Sequence, residues 1–431
     1  MANPDENAVS IDLLEIVSSE DLLRSYHLVR DQTMRLCDPL EPEDFVLQAM
    51  PDASPTKWHL AHTTWFFEAF VLARLNPAYR YARDDANYLF NSYYNAVGER
   101  IARDRRGMLS RPSIAEILQY RTEVDRRIEA ALSSLSKGHL AAISPILVLG
   151  LHHEQQHQEL ILTDLKVAFA TNPIRPIYRE QLARESRAAG PIDWIERPEG
   201  LRWLGHDGDG FAFDNESPRH RVFLEAFAIA SRLATNGEYR TFMDAGGYER
   251  PEFWLSDGWA ARNAAGWTAP MYWQRQGSDW ATFTLAGMQP VHDAEPVTHL
   301  SFYEADAFSR WAGARLPTEA EWETVAREFP IEGNFLETGA IHPQIAPPGE
   351  SGSPQQMYGD AWEWTASPYV AYPGYRPAAG ALGEYNGKFM CNQMVLRGGS
   401  CATPGSHVRA SYRNFFPPNV RWQFSGVRLA R

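Results

Sequence analysis

Five of the thirteen histidines stand in two short groups, and their side chains are the strongest candidates for chemistry in this sequence. His59 and His62 form one group, and His152, His153 and His157 form the other, each within a segment of helical pattern. On a helix, residues four apart share a face, so His153 and His157 point the same way while His152 is turned by about 100°. The surrounding residues leave open which of His59 and His62 faces the interior.

Two histidine pairs on two helices of one bundle favour a metal site over isolated core histidines, because neutral imidazole is a good ligand for several transition metals. No carboxylate shares the face of His153 and His157 at a suitable offset, which disfavours a site of two histidines and one carboxylate. Three imidazoles would leave positions open for substrate, as catalytic metals require. Spacing alone does not choose iron over zinc.

The elements that must position these histidines are four long amphipathic helices in the first 170 residues, a pattern best satisfied by a bundle. The predicted helices cover Ser19–Cys37, 55–75, 114–135 and 145–170. The second and fourth are expected to begin with a capping serine followed by a first-turn proline, at Ser54-Pro55 and Ser144-Pro145. Ser113 is the predicted cap of the third.

The connection between residues 76 and 112 is far too long for an ordinary loop between helices, and such excursions are usually functional. It carries the adjacent Tyr93 and Tyr94, which bundle packing explains poorly, and it ends in a cluster of arginines that includes Arg103 and Arg106. Guanidinium groups bind carboxylates through two parallel hydrogen bonds. A solvated basic face is the alternative interpretation of the arginines.

After the predicted bundle, the composition and the periodicity of the sequence change. Residues 172–193 are interpreted as a linker, and the following part has short strand-like pieces, frequent glycine and proline, and helix signals at 303–312 and 318–327. The whole chain is therefore expected to be an α+β protein of two domains, 1–171 and 194–431.

Composition excludes several classes of protein. The net charge of −13 argues against nucleic-acid binding, which needs a basic face. The most apolar stretch, 140–151, contains Pro145 and is too short for a membrane span, which needs about 20 residues. The N-terminal residues do not read as a secretion signal, so a cytoplasmic location is expected. The three cysteines are too few and too scattered for a disulfide framework.

Motifs in both halves resemble one known family. The N-terminal segments 59–68 (HLAHTTWFFE), 89–98 (LFNSYYNAVG) and 152–160 (HHEQQHQEL) resemble the ergothioneine-biosynthesis sulfoxide synthases, or hercynine oxygenases. The segments 215–222 (NESPRHRV), 315–323 (RLPTEAEWE), 359–365 (GDAWEWT), 397–400 (RGGS) and 425–428 (SGVR) look like the C-type-lectin fold of formylglycine-generating enzymes. The resemblance implies a DinB-like four-helix bundle fused to a formylglycine-generating-enzyme-like domain.

The resemblance also implies a cofactor and a reaction. The family is similar in using a non-haem Fe(II), whose ligands by motif position are His62, His153 and His157, with His59 and His152 in supporting or packing roles. The expected reaction uses O2 to join hercynine (Nα-trimethylhistidine) to a thiol donor, cysteine or γ-glutamylcysteine, as a sulfoxide.

Further residues take roles from the same resemblance. Gln156 is expected to orient hercynine, although a solvated polar residue is the alternative. Asn414 matches the family's substrate-contacting asparagine, and Phe415 and Phe416 are candidates for cation–π contact with the quaternary ammonium, worth about 0.5–2 kcal/mol. Core packing explains either phenylalanine equally well.

The loop residues complete the expected site. Tyr93 or Tyr94 is the implied proton donor near activated oxygen, with an aromatic plug as the alternative. Arg103 and Arg106 are the implied partners of the thiol donor's carboxylate.

Departures from the family patterns reduce the number of activities and thiol donors that the resemblance allows. Cys391 and Cys401 do not form the copper-binding pair of formylglycine-generating enzymes, which disfavours that activity. Phe415-Phe416 lacks the acidic residue typical of members that use γ-glutamylcysteine, which favours cysteine as donor. The alternatives are a DinB-like divalent-metal thiol transferase without O2 chemistry, an ovothiol-type 5-histidylcysteine sulfoxide synthase, and a non-catalytic binding module.

Overall fold

The computed structural model describes residues 18–180, 187–208, 210–349, 352–377, 383 and 385–431. The chain divides into two compact units. The first unit comprises Met1–Pro173 with two short segments from further along the chain, Gly208–Phe213 and Pro377–Tyr385, and the second comprises Ile174–Asp207, Asp214–Arg376 and Asn386–Arg431. The predicted linker, 172–193, includes six residues, 181–186, that lie outside the described ranges.

The first unit is helical. Its helices are α1 (Ser19–Cys37), α2 (Thr56–Phe67), α3 (Ala73–Leu75), α4 (Ala86–Phe90), α5 (Ile114–Ser134) and α6 (Lys137–Thr171). The four long ones form the predicted bundle, in which α1 and α2 each pack against both α5 and α6. No helix in the described ranges combines the length and apolar character needed to cross a membrane.

Serine caps and one buried charge cluster hold the bundle helices. The Ser18 hydroxyl accepts from the Asp21 backbone N–H at the start of α1, and Ser113 forms a capping box with Glu116 at the start of α5. In the bundle core, the fully buried Glu154 carboxylate of α6 accepts from Arg30 at 2.8 Å and from Arg121 at 2.6 Å. This cluster joins α1, α5 and α6 on the side of α6 next to His153.

The two predicted serine–proline helix starts are wrong. Helix α2 begins at Thr56, and the Ser54 hydroxyl accepts from Arg106 at 2.9 Å instead of capping the helix. Helix α6 begins at Lys137, capped by Ser136, and continues through Pro145. A proline removes only one backbone hydrogen bond, and the packing of a long apolar face outweighs that loss.

A π-helical turn follows α2 and anchors the long connection. Residues Glu68–Leu72 form this turn, so the helical stretch continues to the predicted end at Leu75 through α3. The buried Glu68 carboxylate accepts from the Tyr120 hydroxyl of α5 at 2.5 Å, and from the Tyr79 hydroxyl at 2.8 Å and the Ala82 N–H at 2.6 Å in the connection. One carboxylate therefore ties the start of the connection to the bundle.

The second unit mixes short strands and helices. Its helices are α7 (Asn236–Asp244), α8 (Ser256–Ala265), α9 (Phe302–Trp311) and α10 (Glu319–Ala326). Of these, α9 and α10 lie at the two predicted helix signals. Its strands are β1 (Trp194–Arg197), β2 (Gly200–Leu204), β3 (His220–Leu224), β4 (Phe227–Ala230), β5 (Trp273–Gln276), β6 (Asp279–Thr284), β7 (Gly287–Pro290), β8 (Gly333–Asn334), β9 (Tyr358–Gly359), β10 (Trp362–Pro368), β11 (Met394–Arg397), β12 (Asn414–Phe416) and β13 (Ser425–Gly426). With the helical unit, this confirms the α+β class.

Four strands in the order β12-β11-β10-β13 form the largest sheet of the second unit. The β10–β11 and β11–β12 pairs are antiparallel, while β10 and β13 are parallel. Behind it, the Trp322 indole N–H donates to Glu363 at 2.8 Å, and Glu363 also accepts from Arg428. Trp322, Trp362 and Trp364, with Arg397 and Arg428, are thus buried scaffold residues of this unit.

Candidate metal centre

Three histidines from two helices meet inside the bundle. Helix α2 contributes His62, and α6 contributes His153 and His157 from successive turns of one face. All three are buried, each offers a ring nitrogen within 4.8 Å of the others, and the Nε2 atoms of His62 and His153 are 3.2 Å apart. The sequence left open which of His59 and His62 faces the interior; both are buried, and His62 is the one that forms this three-histidine group.

Burial keeps these imidazoles in the form that binds metals. Burial, reinforced by the nearby His153, lowers the pKa of both His62 and His157 well below the ordinary value of 6.5. Burial also lowers the pKa of His153, to about 3. All three rings are therefore neutral at pH 7, and each carries one nitrogen lone pair.

The backbone of the connection assigns the lone pair of His62. Its Nδ1 lies 2.5 Å from the Phe90 carbonyl oxygen, which can only accept a hydrogen bond. Nδ1 therefore carries the proton, and Nε2 carries the lone pair that can bind a metal. Trp58 stacks on the same ring at 4.6 Å, and its indole N–H donates to the Leu89 carbonyl at 3.0 Å. Residues of α2 thus hold the connection and the His62 ring in one arrangement.

His157 contacts His59, the second histidine of α2. The two Nδ1 atoms are 2.7 Å apart, and Nε2 of His59 lies 3.2 Å from Oδ2 of Asp164. The same Asp164 oxygen accepts from the Ser54 backbone N–H at 2.8 Å. His59 is therefore placed directly behind His157.

The other two histidines of α6 differ in their surroundings. His153 lies against the Phe66 ring at 4.8 Å, and within the described part of the chain its Nδ1 makes no hydrogen bond. His152 faces away from the three-histidine group, as its helical position predicts, and stacks on Phe211 with ring centroids 3.9 Å apart.

This donor set fits a divalent transition metal. Two imidazole nitrogens bound at about 2.1 Å to one ion, in octahedral or tetrahedral geometry, lie roughly 3.0–3.4 Å from each other. The 3.2 Å separation of the Nε2 atoms of His62 and His153 falls in this range. Neutral nitrogen donors suit iron, zinc, copper and nickel better than calcium or magnesium, which prefer oxygen.

Tyr385 and Gln156 lie beside the three histidines. The Tyr385 hydroxyl donates to the side-chain carbonyl of Gln156, and its ring lies 5.6 Å from that of His153. The Phe213 ring stacks on the Tyr385 ring, with centroids 5.5 Å apart. Tyr385 is not among the residues predicted from the sequence, because it follows His153 by more than two hundred positions in a part without helical periodicity, and no spacing signal connects the two.

The two loop tyrosines lie in different surroundings. Tyr94 is fully buried, with its ring 5.0 Å from Phe70 and its backbone N–H donating to Asn91 at 3.0 Å. Tyr93 is half-buried, and its ring lies 4.7 Å from Tyr94 and 6.0 Å from Tyr385. Tyr93 thus contacts Tyr385 directly, whereas Tyr94 packs against Phe70 and Trp65.

The two predicted arginines also differ. Arg106 is buried, with its guanidinium carbon 3.4 Å from the centroid of the Trp58 ring and with the Ser54 hydroxyl as hydrogen-bond acceptor. Burial, together with the charge of Arg103, lowers its pKa. Among the described residues no carboxylate is ion-paired with Arg106, although the charge of Asp164 acts against the lowering of its pKa. Arg103 is exposed.

The remaining predicted substrate contacts belong to the second unit. Asn414, Phe415 and Phe416 form β12, the edge strand of its largest sheet, and are half-buried. Phe415 stacks on Tyr369 at 3.9 Å, and the Phe416 ring lies 6.0 Å from Trp422 in an edge-to-face arrangement. The role of these three residues in substrate binding stays a prediction.

Two family models match the chain. Residues 25–161 match the DinB superfamily, and residues 192–342 and 346–431 match the sulfatase-modifying factor enzyme 1-like domain. Both matches agree with the fold types implied by the sequence motifs.

Similar proteins extend over nearly the whole chain. The hercynine oxygenase of Mycolicibacterium smegmatis is 31% identical over 96% of this chain and 99% of its own length. That of Mycolicibacterium thermoresistibile is 32% identical over 95% of this chain and 94% of its own length. Ergothioneine biosynthesis protein 1 of Schizosaccharomyces pombe is 26% identical over 51% of this chain and 28% of its own length. The chain therefore belongs to the hercynine oxygenase family.

Proposed function

We propose that this protein is an iron(II)-dependent sulfoxide synthase of ergothioneine biosynthesis, which uses O2 to join hercynine to a small thiol. The observation that carries the proposal is the group of three buried, neutral histidines in a chain whose full length matches hercynine oxygenases. A thiol transferase without O2 chemistry and an ovothiol-type enzyme are not favoured, because the similarity to hercynine oxygenases covers both domains. A cytoplasmic location, where small metabolites are made, is part of the proposal.

Iron(II) held by His62, His153 and His157 would supply the redox chemistry with O2 and leave coordination positions for both substrates. The protein's own residues orient the reactants around it. We assign to the Gln156 amide, which accepts from the Tyr385 hydroxyl, the role of hydrogen-bonding the hercynine imidazole. A held amide loses less entropy on binding than a free one, so its contribution to positioning is larger.

The quaternary ammonium of hercynine has no N–H group and cannot donate a hydrogen bond. It must therefore be bound by aromatic or polar contacts that do not need one. We assign these contacts to Asn414, Phe415 and Phe416. The aromatic faces of such residues attract a cation by about 0.5–2 kcal/mol, depending on how far it is desolvated.

Arg103 and Arg106 are the proposed partners of the thiol donor's carboxylate. Arg106 supports this role best, since Trp58 and Ser54 hold its guanidinium. The charge of Asp164 acts on it, but no described carboxylate is ion-paired with it. A buried guanidinium without an ion-pair partner attracts an anion strongly because the dielectric around it is low. Phe415-Phe416 favours cysteine over γ-glutamylcysteine as that donor.

The test is an oxygen-uptake assay on metal-free protein reloaded with Fe(II) or with Zn(II). Uptake is expected only with Fe(II) and only when hercynine and a thiol are both present, and it is expected to be faster with cysteine than with γ-glutamylcysteine. Full turnover with Zn(II), or product formation without O2, would contradict the proposal.

A matched pair of variants tests the ligand assignment in the same assay. His153→Ala should abolish turnover, whereas His152→Phe should retain it, because phenylalanine preserves the stacking on Phe211. Equal activity of the two variants would reject the assignment of His153 as a ligand.

A further inference from the structure

We propose that Asp164 and His59 are positioning residues that fix the protonation pattern of His157, so that its Nε2 lone pair is presented to the metal. The inference rests on the part of the proposed function in which the three histidines bind a metal ion, and it does not depend on the substrates. Its basis is an unbroken series of hydrogen-bonding contacts from the backbone of Ser54 to the His157 ring.

The series begins at a carboxylate whose orientation is fixed. Oδ2 of Asp164 accepts the Ser54 backbone N–H at 2.8 Å and lies 3.2 Å from Nε2 of His59. A carboxylate only accepts hydrogen bonds, so the His59 proton resides on Nε2. In the form that this proposal assigns to His59, with its single ring proton on Nε2, the lone pair is on Nδ1.

The second contact transmits this choice to the ligand. Nδ1 of His59 and Nδ1 of His157 are 2.7 Å apart, which leaves room for a single proton between them. Since the His59 atom holds the lone pair, His157 donates through Nδ1–H, and its own lone pair is on Nε2. A histidine that donates its second N–H in this way is also a stronger metal donor.

The three ligands differ in this respect. His62 donates its Nδ1–H to the Phe90 carbonyl, while Nδ1 of His153 has no hydrogen-bond partner among the described residues. Among the described residues, His157 is the one of the three whose Nδ1 contacts a side chain, and that side chain, His59, has two possible protonation patterns. The position of the ring proton of His157 therefore depends on Asp164, whereas that of His62 depends on a backbone carbonyl.

Helical spacing explains why the series can form. Asp164 follows His157 by seven positions on α6, two turns along one face, and His59 precedes His62 by three positions on α2. Because α2 and α6 pack side by side, the face that carries the ligands also carries their supporting residues.

The experiment measures metal affinity directly. Metal-free protein is titrated with Co(II), and the dissociation constant and the visible absorption bands of the bound ion are recorded for the wild type, Asp164→Asn, His59→Leu and His59→Gln. Asp164→Asn should weaken binding by roughly 10–100-fold, because its amide can donate to His59 and reverse the protonation pattern. His59→Leu should weaken binding to a similar degree.

His59→Gln serves as the conservative rescue, since its side-chain carbonyl can accept from Nδ1–H of His157. It should bind Co(II) more tightly than His59→Leu. The matched control is Asp125→Asn, which removes a carboxylate that accepts from Tyr26 and Arg30 elsewhere in the first unit, and which should leave the dissociation constant unchanged. Thermal unfolding of each variant identifies any that fail to fold.

An unchanged dissociation constant in Asp164→Asn, or equal affinities of His59→Gln and His59→Leu, would overturn the proposal. A wild type that binds no Co(II) would overturn it as well. A wild type that binds Co(II) with the expected variant pattern, but whose Fe(II) form makes no sulfoxide, would contradict the proposed function alone.

Discussion

At the scale of single residues, one residue of rotation along a helix decides what a histidine does. His152 and His153 are neighbours on α6, yet one stacks on Phe211 and the other lies in the three-histidine group. The 100° turn between successive residues sends their side chains to different neighbours. The two loop tyrosines differ in burial instead: their rings are in contact, but Tyr94 is fully buried and Tyr93 is half-buried.

Tyrosine-to-phenylalanine variants test the proton donor at this scale. Tyr93→Phe should lower sulfoxide formation by about a hundredfold relative to thiol oxidation, since a positioned acid contributes about 10²–10⁴-fold to a rate. Tyr94→Phe should have little effect on the product ratio because Tyr94 packs among aromatic rings. Tyr385→Phe should raise the KM for hercynine by releasing Gln156.

The measurement is the product ratio by chromatography, with KM values from oxygen uptake. A larger change of product ratio in Tyr94→Phe than in Tyr93→Phe would reverse the assignment. An unaltered ratio in both would remove these two tyrosines from the mechanism.

At the scale of elements, local capping signals and packing contribute separately. Ser113 and Ser18 cap helices where the apolar pattern begins, as sequence rules predict. Pro55 and Pro145 resemble first-turn residues in sequence, but tertiary packing places Pro55 before α2 and Pro145 inside α6. Because its apolar face is packed, α6 begins at Lys137, about two turns before the predicted start at Ser144-Pro145.

Ser113→Ala tests the cap of α5. Loss of the hydroxyl removes the bond to the Glu116 N–H and half of the capping box, so the free energy of unfolding should fall by about 1 kcal/mol. Urea denaturation followed by circular dichroism gives this value. The control is Ser133→Ala in the last turns of the same helix, where the hydroxyl bonds only to the Glu129 carbonyl and the change should be near zero. Equal losses in the two variants would argue against a stabilising cap.

At the scale of the whole molecule, each unit contains a buried carboxylate held by two arginines. Glu154 pairs with Arg30 and Arg121 in the first unit, and Glu319 pairs with Arg397 and Arg413 in the second. Such clusters specify which elements meet, and removing one partner is costly because the others stay buried and unneutralised.

The stability of the second unit should depend on pH through Glu319. Burial alone would raise the pKa of Glu319, but Arg413 and Arg397 hold it below the ordinary value of 4.5. A lowered folded-state pKa adds stability that is fully present above the unfolded value and is lost as pH falls through the folded one. The wild type should therefore lose stability below about pH 4.5.

Glu319→Gln should lower the free energy of unfolding at pH 7 by about 3–5 kcal/mol and flatten its decline in acid, as measured by denaturant titrations between pH 3 and 7. Glu328→Gln is the control, since its ion pair with Arg197 is half-exposed and contributes about 1 kcal/mol at most. Parallel acid profiles for the wild type and Glu319→Gln would contradict the assignment.

The sequence by itself determined the four helices, the shared face of His153 and His157, and the two domain types. These features depend on residues three or four positions apart or on short contiguous motifs, whose physical meaning does not require a distant partner. The α+β class follows from the same local patterns.

Only the tertiary structure decided which histidine of α2 joins the pair on α6, and that Tyr385 lies beside His153. It also decided that Ser54 does not cap α2: its hydroxyl accepts from Arg106, and its backbone N–H donates to Asp164. Each of these facts is a contact between residues far apart in the chain. Such contacts are set by how helices and loops pack, and local periodicity carries no information about them.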